Sequence, residues 1–511
     1  MKSVNLLILT LLINVLNAQD KKQAEIYFLD GNYSSALSEY ELLIADDKQN
    51  VEFNFNLALC YLNTNGDKSR AIPYLENLVV NPKIIPDAWY LLGRAYHFGY
   101  QFDNAIRAYN KFIENGKGNI LNRDDAPIQI EYCENAKELM KFPLNVYFEN
   151  LGNKINSKFD DYFPFVTADE SYLIYNSNKG GFSNEKQDGS FYANMYISYV
   201  NNGQFQAPSL LKSICSPDNS EEIVGLKNNG GKAILYKSDF NNDGDLYEVS
   251  FTNEKFDNPI KLGNNINTKN AEIAACISDD ENKLFFASDQ PGGYGGIDLY
   301  LCQKLPNGNW SNPYNLGPTI NTSSDEDFPN LSPDGQTLYF SSKGHTSMGG
   351  YDIFTANWDE SKKKFTGIQN LGYPINTPED NMNFRVSINN EFGYISAIRK
   401  GGYGGFDLYR VKFNKIEPRY TVIKGIIKND IGSDNIEDAF IQITDQETDE
   451  IYGDYAPNEI TMRYVIILPP GKYNMYISAE NHDQRRRSRS EIRSLVEEKV
   501  SKFKTTTYWK N

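Results

Sequence analysis

Histidine is scarce in this chain, and its scarcity narrows the chemistry available. The sequence has three histidines, His97, His345 and His482, which stand far apart. It contains no HExxH metalloprotease motif, no GxSxG nucleophile elbow and no Walker loop. These absences exclude the enzyme classes that depend on those motifs. We therefore expect a protein with no catalytic residues, no metal site and no cofactor.

Cysteine is also rare and forms no regular framework. Zinc sites and disulfide-rich domains use paired, regularly spaced cysteines. The count here is odd, and no CxxC pair occurs. The sequence therefore predicts buried free thiols, which behave as small apolar residues. The five positions are Cys60, Cys133, Cys215, Cys276 and Cys302.

Positive charge is in short supply, and so are long apolar runs. The 511 residues include 51 Lys and Arg against 67 Asp and Glu, a net charge of −16. An acidic surface repels phosphate backbones, so we expect no nucleic-acid partner. Beyond the N-terminus, no segment approaches the roughly 18 apolar residues of a membrane-spanning helix.

The one apolar run, residues 6–16, has the features of a secretory signal. Lys2 precedes it, and Ala18 places a small residue at the cleavage position before Gln19. Residues 1–18 are therefore predicted to be a signal peptide, and the mature chain is expected to be exported. The alternative is an uncleaved N-terminal anchor. No cysteine follows the run, so a lipoprotein anchor is not expected.

Residues 19–142 carry a helical repeat. The segment Trp89-Tyr90-Leu91-Leu92-Gly93-Arg94-Ala95-Tyr96 matches the pattern of the tetratricopeptide repeat (TPR). Three alanines, Ala36, Ala71 and Ala105, stand about 34 residues apart, which is the period of that repeat. We expect an all-α TPR solenoid of three repeats, capped by a further helix over residues 128–140.

The concave face of such a solenoid commonly binds extended peptides or partner helices. The alternative is a spacer with no binding role. By repeat register, the predicted partner-binding residues on this face are Glu25, Phe55, Tyr90, Arg94 and His97.

Residues 145–414 carry a second repeat, of about 51–55 residues with alternating apolar positions. The sequence predicts an all-β propeller of five or six blades. The half-motif over residues 151–156 is expected to complete a blade whose other strands lie elsewhere in the ring. The clearest copies share glycine-rich loops that end in Asp298, Asp352 and Asp407.

These aspartates invite a metal or catalytic interpretation, but their repetition favours a structural one. An Asp at the same place in several blades is expected to bond to the N–H groups of its own turn. The segment from Asp239 to Gly244 resembles the start of a calcium loop. However, Ser250 stands where that loop requires a glutamate.

The propeller repeats resemble the WD40-like PD40 repeats of TolB-type periplasmic propellers. Residues 418–482, with the Leu468-Pro469-Pro470-Gly471-Lys472-Tyr473 motif, resemble a carboxypeptidase-regulatory-like domain, which implies a small β-sandwich. Residues 483–511 begin with a basic run and are expected to form a solvated tail. An amphipathic helix over residues 491–503 is the alternative.

This multidomain order resembles a family of Bacteroidetes envelope proteins, the OmpA-family, PorE-like proteins of type IX secretion. The resemblance implies a non-catalytic periplasmic scaffold, associated with the outer membrane, that binds envelope proteins or peptides. Members normally end in an OmpA-like domain; no matching motif occurs here, so peptidoglycan binding is not expected. Two alternatives remain, a glycan- or peptide-binding propeller and a propeller hydrolase or lyase.

Overall fold

The computed structural model divides into two compact units, Met1–Phe413 and Asn414–Asn511. The predicted signal peptide lies outside the described residues. No helix in the described part of the chain is long and apolar enough to cross a membrane. The described residues are 21–239, 242–252, 255–387, 391–414, 421–429, 439–446, 448–457, 462–468, 471–478, 485–487, 491–492 and 505–509.

The first unit begins with helices that pack in antiparallel neighbours. Asparagine side chains cap several helix starts; that of Asn50, for example, accepts from the N–H of Phe53 at 3.1 Å. Fully buried alanines let neighbouring helices approach closely. The helices are residues 21–29 (α1), Tyr33–Asp46 (α2), Val51–Leu62 (α3), Ile72–Val79 (α4), Asp87–Phe98 (α5), Phe102–Asn115 (α6) and Ile120–Leu139 (α7), with a 3-10 turn at Lys68–Ala71.

Five antiparallel sheets follow among the described residues of the first unit. Sheet 1 contains β2 (Asp161–Val166), β3 (Tyr172–Ser177), β4 (Asn194–Asn201), β5 (Gln204–Phe205) and β6 (Ser209–Leu210). Sheet 2 contains β7 (Glu221–Leu226), β8 (Lys232–Asp239), β9 (Asn242–Thr252), β10 (Lys255–Phe256) and β11 (Ile260–Lys261). Sheet 3 contains β12 (Glu272–Ile277), β13 (Lys283–Ser288), β14 (Asp298–Gln303) and β15 (Tyr314–Asn315).

Sheet 4 contains β16 (Glu326–Leu331), β17 (Thr337–Ser342), β18 (Asp352–Asp359) and β19 (Lys364–Asn370). Sheet 5 contains β20 (Met382–Val386), β21 (Phe392–Ala397) and β22 (Asp407–Phe413), and its fourth strand is β1 (Val146–Asn150), which pairs with β22.

The sheets close into a ring through their first strands. In the order β2, β7, β12, β16 and β20, each first strand contacts the next, and β20 contacts β2. The chain segment before sheet 1 thus completes sheet 5. Asn156 bonds to both the N–H and the carbonyl of Leu408, at 2.8 and 3.0 Å. These bonds confirm the prediction for segment 151–156, and the arrangement is consistent with a β-propeller.

All five cysteines are free thiols. Four are buried, as predicted, whereas Cys215 is only partly buried. Burial raises the pKa of the Cys60 thiol to about 12, which keeps it protonated and unreactive at neutral pH.

The described residues of the second unit form two sheets that share one apolar cluster, including Ile427, Ile441 and Ile466. Three short strands, β28 to β30, come from the segment predicted to be a basic tail. Residues 493–504 lie outside the described part. The strands are β23 (Thr421–Asn429), β24 (Phe440–Asp445), β25 (Ile451–Tyr455), β26 (Arg463–Leu468), β27 (Gly471–Ser478), β28 (Arg485–Arg487), β29 (Glu491–Ile492) and β30 (Thr505–Trp509).

Candidate functional site: the ring loops and the helical groove

Three equivalent loops join the second and third strands of sheets 3, 4 and 5. They are residues 289–297 (loop 3), 343–351 (loop 4) and 398–406 (loop 5). In loop 3, Asp298 accepts from the N–H groups of Tyr294 and Gly295 at 2.6 and 3.0 Å. Asp407 makes the same bonds in loop 5. The structural interpretation of the repeated aspartates is therefore confirmed for these two loops, where the carboxylate closes its own turn.

Each loop is also held against the next sheet. A Cβ added to Gly295 would lie 1.8 Å from the carbonyl oxygen of Ser324, so only glycine fits there. Asp325 accepts from the N–H of Ile297 at 3.1 Å. Gly349 in loop 4 and Gly404 in loop 5 approach the following segment equally closely. The loops are consequently rigid platforms on one face of the ring.

A repeated asparagine motif supports the same loops, and sequence reasoning assigned it no role. Asn321 accepts from the N–H of Leu299 at 2.9 Å and donates to its carbonyl at 3.0 Å. It also donates to Asn315, whose amide in turn donates to Asp298 at 2.6 Å. The sequence signal was the constant spacing of paired asparagines in successive copies, for example Asn370 and Asn376 in sheet 4.

Loop 4 differs from its two counterparts at several positions, and one of these lies at the contact with the helices. Loops 3 and 5 carry Tyr294 and Tyr403, which are 51% and 50% exposed. At the same position loop 4 carries Met348, which is 0% exposed. Met348 belongs to one buried cluster, here called the Met348 pocket, with helical residues that include Tyr90, Phe102, Tyr109, Phe112, Ala126, Cys133 and Ala136.

The predicted groove residues of α5 lie at this contact. His97 is buried, and its Nε2–H donates to the Met348 carbonyl at 2.8 Å. Tyr90 is part of the Met348 pocket and donates its hydroxyl to Asp125 at 2.6 Å. Arg94 lies within 3.5 Å of the Tyr90 hydroxyl. The structure thus brings these three predicted residues together, but against the chain's own ring.

Side chains of helix α7 also donate hydrogen bonds to the backbone of loop 4. The Tyr132 hydroxyl donates to the carbonyl of Lys343. The Asn135 amide donates to the carbonyl of Ser347 at 2.9 Å. With His97, three side-chain donors therefore satisfy three backbone carbonyls of one loop.

Charge at the contact is largely neutralised. Lys68 pairs with Glu379, and both side chains are mostly buried. Burial raises the pKa of Glu379, although Lys68 and Arg94 oppose the rise. Burial lowers the pKa of His97 to about 4, so its imidazole is neutral at physiological pH.

Further contacts spread over the loops of sheets 1 and 5. The Asn65 amide lies 3.0 Å from both carboxylate oxygens of Asp160, and Gln187 donates to Asp30 at 2.9 Å. The other two predicted groove residues are placed differently. Glu25 lies 3.5 Å from Lys21 Nζ, and Phe55 is half-buried against the cluster of α2 to α4.

The centre of the ring is filled by Arg385 of β20. Its guanidinium donates to Val166 O at 3.2 Å, Leu226 O at 2.8 Å, and the Asn330 and Asn228 amide oxygens at 3.1 Å. Sheets 1, 2 and 4 are therefore tied to sheet 5 by one side chain. Burial lowers its pKa.

Two acidic side chains lie in the first strands near the loop face. Burial raises the pKa values of Glu222 in sheet 2 and Asp327 in sheet 4 to about 7. Tyr162 of sheet 1 opposes this rise in the pKa of Glu222. Within the described residues, no group of three or more His, Cys, Asp or Glu is arranged to hold a metal ion. The segment that resembles the start of a calcium loop lies partly outside those residues.

A family model of the tetratricopeptide repeat matches residues 87–115, which hold α5 and α6. This match confirms a repeat where the sequence pattern is sharpest, although it spans well under half of the chain. A search of curated proteins finds no match. The chain therefore contains TPR helices followed by a propeller-like ring.

Several solved structures resemble part of the chain. TolB from Acinetobacter baumannii is 15% identical, with a TM-score of 0.33, over 50% of this chain and 55% of that one. A glycoside hydrolase is 8% identical, with a TM-score of 0.37, over 54% and 94%. The WD40 repeats of RRP9 are 9% identical, with a TM-score of 0.31, over 52% and 97%. The chain thus spans about half of TolB, and at such TM-scores none of these likenesses carries an argument about function.

Proposed function

We propose that this chain is a non-catalytic scaffold of the cell envelope. It is exported to the periplasm, associates with the outer membrane, and binds envelope proteins in type IX secretion or gliding. The observation that carries the proposal is the burial of Met348 between the helices and the ring. This contact combines two repeat modules into one body with fixed outer surfaces. Several rigid surfaces on one body favour simultaneous binding of several partners.

Tyr294 and Tyr403 are the binding residues that this architecture favours on the ring face. Both are half-exposed aromatic side chains on loops held by carboxylates and close glycine contacts. Rigid, half-exposed tyrosines bring large contact area to a protein interface at low cost in conformational entropy. On the helical side, Glu25 and Phe55 remain proposed partner-binding residues. His97 donates to the chain's own loop 4, Tyr90 lies in the Met348 pocket, and Arg94 lies beside Tyr90.

Site-specific photo-crosslinking in living cells tests this function. A crosslinking amino acid at position 294 or 403 is expected to capture envelope proteins, because these side chains reach solvent. At Tyr300, which is buried in sheet 3 away from the Met348 pocket, the same amino acid is the matched control and should capture none. Equal capture from all three positions, or from none, would contradict the proposal.

Two other functions would give different results. Retention of the purified chain on polysaccharide, abolished by Tyr294→Ala, would indicate a glycan-binding propeller. Hydrolysis of a glycan or peptide substrate, lost in Glu222→Gln or Asp327→Asn, would indicate an enzyme.

A further inference from the structure

We infer that the Met348 pocket is a peptide-binding site that the chain's own loop 4 holds closed. Its ligands are turn-forming peptide segments that present one long, unbranched apolar side chain. This inference rests on the proposed scaffold function and deepens it, because it names the class of partner that the α5 part of the groove accepts.

The contact has the chemistry of peptide recognition. Three helical side chains, His97, Tyr132 and Asn135, donate to backbone carbonyls of loop 4. Backbone bonds supply binding without regard to sequence, and one pocket supplies side-chain preference. Met348 is the side chain that enters the pocket. Methionine is flexible and polarizable, so it fits an aromatic-lined pocket of irregular shape.

Loop 3 shows that a loop of this length keeps its shape without burying the corresponding side chain. It has the same closing aspartate, yet Tyr294 stays half-exposed. Tyr403 of loop 5 is also half-exposed, although Gly405 of that loop lies close to Asn65 of the helical region. An apolar methionine at this position is therefore favourable only where a pocket shields its side chain from water. Met348 therefore occupies the pocket in the way that a side chain of a bound peptide would.

Loop 4 is also held less tightly by its own aspartate than loop 3. Asp352 accepts one loop N–H, that of Met348 at 3.0 Å, whereas Asp298 accepts two. The second oxygen of Asp352, Oδ1, is buried without a hydrogen-bond partner. The Ser347 hydroxyl compensates for the missing bond, because it lies 2.7 Å from the carbonyl oxygens of both Ser342 and Gly344. Loop 4 therefore keeps its shape through bonds of its own that loop 3 lacks.

The resident loop competes strongly because it is tethered. A covalently linked segment acts at an effective concentration of roughly millimolar order, so free peptides of modest affinity do not displace it. The site therefore opens only to a tight or multivalent partner. Loop 4 thus sets a minimum affinity that a partner must exceed before it can bind.

A peptide-binding experiment on the full chain tests the inference. The probe is a fluorescent, terminally blocked peptide with the sequence of residues 343–351, KGHTSMGGY. The variant Met348→Asp expels the loop side chain from the apolar pocket, and Tyr294→Asp places the same charge at the equivalent exposed position. Fluorescence anisotropy is expected to show at least tenfold tighter binding to the Met348→Asp chain than to either wild type or Tyr294→Asp. A peptide with Asp in place of its methionine should not bind.

Equal peptide binding by all three chains, or by none, would overturn the inference. Should Met348→Asp fail to fold, Met348→Gln, which keeps the length of the side chain, is judged by the same criterion. Crosslinking from position 294 separates the two proposals. Peptide binding lost with crosslinking intact contradicts the closed site alone, and the reverse result contradicts the scaffold alone.

Discussion

At the centre of the ring, the guanidinium of Arg385 is surrounded by neutral oxygens from three other sheets. The side chain is 4% exposed and donates to two backbone carbonyls and two amide oxygens. Hydrogen bonds from a charged donor contribute about 1.5–3 kcal/mol each, and buried acceptors left without donors are costly. We expect Arg385→Met to lower the free energy of unfolding by more than about 3 kcal/mol, measured by urea titration.

An exposed arginine provides the control for this substitution. Arg70 pairs with Glu41 at 2.9 Å, and its side chain is largely exposed. Exposed ion pairs contribute about 0–1 kcal/mol, so Arg70→Met should cost little. Equal losses in the two variants would show that Arg385 does not tie the sheets together.

Asp352 is the residue whose ionisation should shape the pH dependence of stability. Burial raises its pKa to about 8 from an ordinary value near 3.8. The folded chain then holds a proton that the unfolded chain releases, so stability falls as pH rises from about 4 to 8. Asp352→Asn removes this contribution, whereas the buried Glu222 and Asp327 keep theirs. The unfolding free energy of the variant should therefore decrease less between pH 5 and pH 8, by about 1 kcal/mol or more.

Urea titrations at the two pH values measure this effect. The exposed Asp124→Asn is the control, and its loss of stability between them should equal that of wild type. An Asp352→Asn chain that loses as much stability as wild type would refute the assignment of a buried, protonated carboxyl group.

At the scale of elements, the ring depends on loops that press glycine against the next sheet. In Gly295→Ala, the new Cβ would lie 1.8 Å from a backbone oxygen that cannot rotate away. Overpacking of this kind costs about 1–3 kcal/mol, and we expect a loss in the upper part of that range. Gly66→Ala is the matched control, because nothing lies within 4 Å of its added Cβ. Thermal denaturation of the two variants should separate them clearly, and similar melting temperatures would contradict the close approach.

Elements built from short-range patterns could be predicted from the sequence. The carboxylate of Asp298 bonds to N–H groups within four residues of it, so repetition of the motif revealed its role. The half-motif at residues 151–156 was recognisable because it repeats a pattern found later in the chain. The family model likewise matches where Trp89 begins the clearest helical repeat.

Loop 4 covers the α5 part of the predicted groove through packing between segments that are distant in sequence. His97 and Met348 are 251 residues apart in sequence, and no periodicity links them. The difference between Met348 and Tyr294 is visible when the loops are aligned. Its consequence is visible only in the structure, where α5 and α7 cover loop 4. Burial of Met348 depends on these contacts between segments that are distant in sequence. The sequence pattern therefore could not indicate that the ring occupies part of the predicted groove.

At the scale of the whole molecule, the helices and the ring share buried residues and should unfold together. The Met348 pocket combines apolar side chains of α5, α6 and α7 with Met348 of the ring, and Tyr373 of the ring packs against them. The Lys68–Glu379 pair adds a second link, with both charges largely shielded from solvent. Modules that share a buried interface stabilise each other and unfold in one transition. In wild type, helix loss by circular dichroism and amide exchange of β17 should therefore show the same urea midpoint.

Met348→Asp should separate these two transitions. A carboxylate in the pocket lacks the hydration it has in water, so the interface loses its apolar contact and gains an unpaired charge. The helices should then unfold at lower urea than β17, whose strand pairing lies within sheet 4. Tyr294→Asp adds the same charge at an exposed position and should leave a single transition. Coincident midpoints in Met348→Asp would mean that the modules are joined mainly by their polar contacts, such as those of Asn65 and Lys68, and not through the pocket.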